Sequence, residues 1–198
     1  MSLQESFVFN KSGLSRELNN GSVAIFPTDT LPALASCPKF ANKLWTIKKR
    51  SLKKPLILMG SNHFDLFKYV MPIAIDDATS MAHSYWPGAL TLVLPSSGDL
   101  IGWLNPTNRT IGIRVPSLIQ ARELLDKTGP LATTSANLSG NKPVMNIAEA
   151  AETFPGVPIL GPAPWPKHLG VASTVIEWQS SGCWKLIRQG SVLLKNLI

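Results

Sequence analysis

The sequence predicts an α/β protein, a single domain built on a mixed parallel and antiparallel sheet with flanking helices. Three observations carry this expectation. Apolar runs rich in β-branched residues recur along the chain, segments with helical spacing separate many of them, and the runs near the C-terminus follow one another directly. Alternating strands and helices make a helix-covered sheet, and strands that adjoin without a helix between them make part of it antiparallel. At 198 residues the chain, 1–198, is large enough for one core.

Strands are expected at about 22–26, 55–59, 90–94, 110–115, 130–134, 157–160, 172–178 and 184–188. The first opens SVAIFPTDTLPAL, 22–34, where Val23 to Phe26 stop at Pro27 and give way to Thr28, Asp29 and Thr30. Proline at such an end does the sheet little harm, because its missing N–H falls outside the ladder. Helical stripes are Leu14 with Leu18, Phe40 with Leu44 and Ile47, and Leu118 with Arg122 and Leu125. Asp76 and Asp77 start a helix to Tyr85, where negative charge suits the dipole. Asn146 caps another through Thr153, with Glu149 in the capping-box position.

Only 16% of the residues are charged, and the net charge of +7 reflects scarce carboxylates as much as abundant bases. Such a surface favours nucleotides, phosphates or nucleic acid. No run reaches the roughly 18 apolar residues of a membrane helix, and MSLQESFVFN has no basic region followed by an apolar one, so a cytoplasmic protein without membrane association is expected. Cys37 and Cys183 fit neither a metal spacing nor a disulfide framework, in keeping with a reducing compartment. His63, His83 and His168 share no metal or triad spacing, and the sequence holds no P-loop, dinucleotide glycine fingerprint or nucleophile elbow. Chemistry here would proceed without an obvious protein nucleophile.

Polar residues gather in three places. KKRSLKKPL, 48–56, puts five basic residues in seven positions behind a helix. It reads equally as a solvated cap favoured by the dipole or as a phosphate clamp, with Arg50 as a planar fork and the lysines as mobile point charges. LATTSANLSG, 131–140, runs a strand into Thr133, Thr134, Ser135, Asn137 and Ser139, and ligands of open α/β sheets gather beyond strand ends. In TIGIRVP, 110–116, Arg114 sits inside an apolar strand with Gly112 and Pro116 as its neighbours by alternation. A half-buried arginine of this kind has an anionic partner, either a protein carboxylate or a ligand. Ser173 and Thr174 in ASTVIEW, and Arg188 in LIRQG, repeat the pattern of polar residues at strand ends.

In order, PTDT, IKKRSLKKPL, WPGALTLVLP, GIRVP, TTSANLSG, STVIEW and IRQG resemble the YrdC-like family of threonylcarbamoyl-AMP synthases, over a core of about 12–193. The resemblance implies a twisted α/β sheet around a large, basic concave cavity. It implies a reaction in which threonine, bicarbonate and ATP give threonylcarbamoyl-adenylate and pyrophosphate, the first stage of modifying adenosine 37 of tRNA. Lys48 and Arg50 match the family's KxR and are expected to be catalytic. Together with Lys54, Ser135, Asn137 and Arg188 they are expected to hold ATP. Thr28, Thr30, Arg114, Thr133 and Ser173 are expected to hold threonine. Mg²⁺ would arrive with the triphosphate, since no protein cage for a metal is visible. The expected macromolecular partners are tRNA or double-stranded RNA and other tRNA-modification proteins.

Several positions depart from the family pattern. Its Val-Tyr-Gly-Leu after PTDT is Leu31-Pro32-Ala33-Leu34, its IKGRP is Ile47-Lys48-Lys49-Arg50-Ser51, a histidine of some members is Met59, and a late aspartate-glycine-glycine stretch is reduced to Gly161-Pro162. Two other readings stay open beside the synthase. One is a divergent paralogue resembling the YciO branch that binds or hydrolyses the adenylate. The other is a module that grips RNA without synthase activity.

Overall fold

The computed structural model describes residues 7–194. In chain order they form β1 (Val8–Phe9), α1 (Lys11–Asn19), β2 (Ala24–Phe26), β3 (Ala33–Ser36), α2 (Asn42–Lys48), β4 (Ile57–Met59), α3 (His63–Phe67), α4 (Ile75–Tyr85), β5 (Leu90–Pro95), α5 (Asp99–Leu104), β6 (Thr110–Arg114), α6 (Ile119–Thr128), β7 (Leu131–Ser135), α7 (Ile147–Thr153), β8 (Ile159–Leu160), β9 (Thr174–Ser180) and β10 (Cys183–Arg188). Asparagine fixes three of the helix starts by offering an oxygen to an N–H with no partner inside the helix. Asn10 accepts from Gly13 N, Asn62 from Asp65 N and Asn146 from Glu149 N. Glu149 reaches back as the capping box requires, but to Met145 N at 2.7 Å rather than to Asn146 N.

The strands make one sheet in the order β1-β8-β2-β3-β7-β4-β6-β5-β9-β10. It is mixed, as the sequence predicts: β4 and β6 pair in parallel, as do β5 and β9, whereas β7 runs antiparallel to both β3 and β4. Alternation along the strands divides the apolar side chains between two layers. Ile25, Leu34, Leu58, Leu92, Ile113 and Ile176 face a core completed by α2, α4, α5 and α7. Phe26, Ala33, Ala35, Met59, Leu131 and Leu160 face a smaller core closed by Leu14 and Leu18 of α1 and Leu124 and Leu125 of α6. Each fully buried leucine contributes about 2 kcal/mol.

The second core takes no residue from β5, β6, β9 or β10 among the described residues. On that half of the sheet Val93, Gly112 and Val175 stay half-exposed. An uncovered area of sheet beside a helix-covered one leaves room for a ligand.

Candidate functional site

The loop after β2 is shaped by its own hydroxyls. Thr28 Oγ1 donates to Leu31 O at 2.7 Å and accepts from Thr30 N at 3.2 Å, so small polar residues close a turn that apolar ones could not. Pro32 ends the turn, and its carbonyl accepts from Ala136 N at 2.8 Å, tying this loop to the one after β7.

Arg114, the last residue of β6, is wholly buried rather than half-buried. Its partner is a protein carboxylate: one Nη donates to Asp29 Oδ2 at 2.6 Å, the other to Thr30 Oγ1 at 2.7 Å, and Nε to Gly88 O at 2.9 Å. Burial pushes its pKa below the usual guanidinium range, and Asp29 opposes that shift. The turn that presents this carbonyl has no room for a side chain at Gly88, because a Cβ there would overlap Tyr85 O.

The basic cluster and the hydroxyl-rich loop form one network. Lys48, at the end of α2, is buried and donates from Nζ to Ser135 O and to Asn137 Oδ1, the latter at 2.9 Å. Ser135 Oγ donates to the same Asn137 oxygen at 2.6 Å. Burial, reinforced by Arg50, brings Lys48 down to about 7. Arg50 rests on the carbonyls of Lys54 and Pro55, at 3.4 and 3.2 Å. Arg188 donates to Ser173 O at 2.8 Å and Ser173 Oγ at 3.3 Å. Burial lowers the pKa of both arginines, and Arg188 lowers that of Arg50 further, so the two cations feel each other across the site.

Between these groups lies a pocket of about 140 Å³ lined by Thr30, Arg50, Met59, Arg114, Thr133, Ser135, Ser173 and Arg188 among others, with no carboxylate in its lining. Four expected residues stand outside that lining. Lys48 and Asn137 bond to Ser135, Thr28 braces Thr30, and Lys54 is exposed, with its carbonyl holding Arg50 and Trp45 Nε1. Thr133 Oγ1 is spent on Ile57 O at 3.1 Å. Sequence reasoning assigned no role to Asp29, although it lies in the quoted motif, nor to Thr91, whose hydroxyl meets Ser173 Oγ at 2.8 Å. A polar residue between Leu90 and Leu92 in an otherwise apolar strand was the available signal for Thr91. Among the described residues, no three or more His, Cys, Asp or Glu side chains group as a metal site, and no helix is long and apolar enough to cross a membrane.

Three guanidinium groups and several hydroxyls line one concave pocket of this α/β protein, a lining whose chemistry suits a small polar or anionic ligand. The chain belongs to the Sua5/YciO/YrdC family: the family model, described as "Telomere recombination", matches residues 16–190. It is 37% identical to a Threonylcarbamoyl-AMP synthase of Pseudoalteromonas translucida over 69% of this chain and 76% of that one. To the Bos taurus protein of the same name it is 32% identical, over 89% of this chain and 66% of that one. Among solved structures, P. abyssi Sua5 complexed with L-threonine superposes with a TM-score of 0.85 at 26% identity, covering 92% of this chain and 57% of the longer Sua5 chain. E. coli YciO shares the fold, with a TM-score of 0.79 at 22% identity and coverage of 95% and 92%.

Proposed function

We propose that this chain is an L-threonylcarbamoyladenylate synthase acting in tRNA modification. Its relatives carry the name Threonylcarbamoyl-AMP synthase, and one structural relative has been solved with L-threonine bound. The observation that carries the reading is the pocket that Arg50, Arg114 and Arg188 line together, joined to the Lys48–Ser135–Asn137 network. At about 140 Å³ it suits an amino acid. A nucleotide calls for something nearer the roughly 300–1,000 Å³ of a pocket for drug-sized ligands. ATP would therefore lie across the mouth, its phosphates on Arg50 and Arg188, with Lys48, Lys54, Ser135 and Asn137 behind or beside them.

The chemistry asks little of a nucleophile. Threonine's amine and bicarbonate give a carbamate and water. A carbamate oxygen then bonds to the α-phosphorus as the bond to the β-phosphate's bridging oxygen breaks, releasing pyrophosphate. Holding the carbamate in line and stabilising the charge that leaves are tasks for fixed cations and hydrogen-bond donors. With no carboxylate in the lining, Mg²⁺ would be held by the triphosphate it accompanies.

The test is to incubate the purified protein with threonine, bicarbonate, Mg²⁺ and labelled ATP. Threonine-dependent pyrophosphate release is expected, falling by roughly 10²-fold or more in Arg50→Ala. Pyrophosphate release indifferent to threonine would reject the reading. Rapid breakdown of supplied threonylcarbamoyl-adenylate without synthesis would point to a hydrolytic paralogue instead.

A further inference from the structure

We infer that Asp29 is a positioning residue, which holds the guanidinium of Arg114 in the one orientation that presents it to the amino acid. This rests on the synthase reading of the pocket. An arginine side chain has five N–H donors. In Arg114 three are engaged, by Gly88 O, Thr30 Oγ1 and Asp29 Oδ2. The remaining two have no acceptor among the described residues, and Arg114 lines the pocket.

Asp29 itself does not line that pocket. It borders a separate groove of about 910 Å³, with Ser117, Ile119 and His168. Its carboxylate therefore reaches the ligand pocket through Arg114, to which it is bonded. Both of its carboxylate oxygens are used, Oδ2 by Arg114 and Oδ1 by Ser117 N at 3.1 Å. Its carbonyl accepts from Leu169 N at 2.9 Å, and the carbonyl of Thr30 accepts from Gly170 N at 3.1 Å. The carboxylate is thus pinned by the loop before α6 and its backbone by the segment leading to β9, so it cannot follow Arg114 if the arginine turns. The ion pair is nearly dry, with 4% of the Arg114 side chain and 12% of the Asp29 side chain exposed. In such surroundings the partner fixes geometry as well as charge.

Replacing Asp29 with asparagine keeps the shape and an oxygen for Ser117 N, but turns an amide N–H toward a guanidinium N–H. Donor then meets donor, and Arg114 must rotate. Two measurements test this. In protein labelled at arginine side-chain nitrogens, the wild-type Arg114 signals should be those of an immobilised group, and Asp29→Asn should broaden or average them. In the pyrophosphate assay, Asp29→Asn should raise the KM for threonine at least tenfold, with kcat and the thermal shift produced by ATP within about twofold of wild type. Should the asparagine protein fold poorly, Asp29→Ala with added formate is the second arm, in which formate should lower the threonine KM again and acetamide should not. Immobile Arg114 signals in Asp29→Asn, an unchanged threonine KM, or equal loss of ATP and threonine binding without formate rescue would overturn the assignment. If the wild type releases no pyrophosphate in response to threonine, the synthase reading fails, and the arginine signals alone still decide whether Asp29 fixes Arg114.

Discussion

Lys48 Nζ stands 2.9 Å from Asn137 Oδ1, which makes the end of α2 and the loop after β7 one hydrogen-bonded unit. The bond survives loss of the proton, since a neutral amine keeps two N–H donors for its two acceptors, Ser135 O and Asn137 Oδ1. Burial, with Arg50 adding to it, brings Lys48 to about 7 in the fold. In the unfolded chain a lysine titrates near 10.4. Between these values the unfolded state binds more protons, so this residue makes stability rise with pH across the window and leaves it flat below. Urea unfolding from pH 6.5 to 10 should show a steeper rise in wild type than in Lys48→Met. Equal slopes would mean that Lys48 titrates normally.

Lys49 seals α2 in the left-handed region, at φ 51° and ψ 45°, with its N–H donating to Thr46 O at 3.1 Å. That conformation strains any residue with a Cβ, and the family pattern places glycine there. Lys49→Gly should stabilise the protein by about 1 kcal/mol, or roughly 2–4 °C in Tm. Denaturant titration should find a higher midpoint at unchanged slope. A lower midpoint would mean that the lysine side chain makes contacts outweighing the strain.

Most strands and the longer helices were legible because apolar periodicity survives in segments of several residues. Two helices were not: α3 and α5 span one to two turns, too short to show a period. Strand β3 was missed because ALAS has little β propensity. It is a strand because β2 and β7 flank it on both sides, and its small side chains keep the sheet low where the pocket lies. Lys48, Arg50, Ser135 and Asn137 could be read as motifs, but their mutual bonding could not. Nor could the choice of partner for Arg114, which lies 85 positions from Asp29 and is settled only by the sheet order. Asp77, read as a favourable charge at a helix start, also accepts from Trp178 Nε1 and Gly182 N, holding the β9–β10 hairpin to α4.

Thr174 holds the chain's last described segment against the site. Its buried hydroxyl donates to Val192 O at 2.7 Å and accepts from Gly190 N at 3.0 Å and Val192 N at 3.1 Å. Gly190 approaches so closely that a Cβ would overlap the backbone of Ala172 and Ser173. Arg188 sits two residues before this knot and Ser173 one residue before Thr174, so the knot sets the Arg188–Ser173 contact. Thr174→Val keeps the shape and leaves those backbone groups short of partners, at a cost of about 2–4 kcal/mol. Chemical denaturation should show that loss, and ATP affinity should fall with it. Stability within 0.5 kcal/mol of wild type, on the order of an ordinary surface change, would rule out the knot.

Arg50 and Arg188 face each other without a carboxylate in the pocket lining, and each rests on neutral backbone oxygens. Like charges held together in the absence of ligand oppose the fold, while a polyphosphate would relieve the repulsion. Arg50→Gln should therefore leave ATP-free stability equal to or above that of wild type. The gain on adding ATP, about 2.7 kcal/mol at a hundred times its Kd, should largely disappear in the variant at the same concentration. Added potassium chloride should stabilise ATP-free wild type more than the variant, because it screens a repulsion the variant lacks. Thermal unfolding with and without ATP at two salt concentrations checks all three. A variant that unfolds earlier without ATP yet keeps the full ATP shift would show that Arg50 serves the fold and not the phosphates.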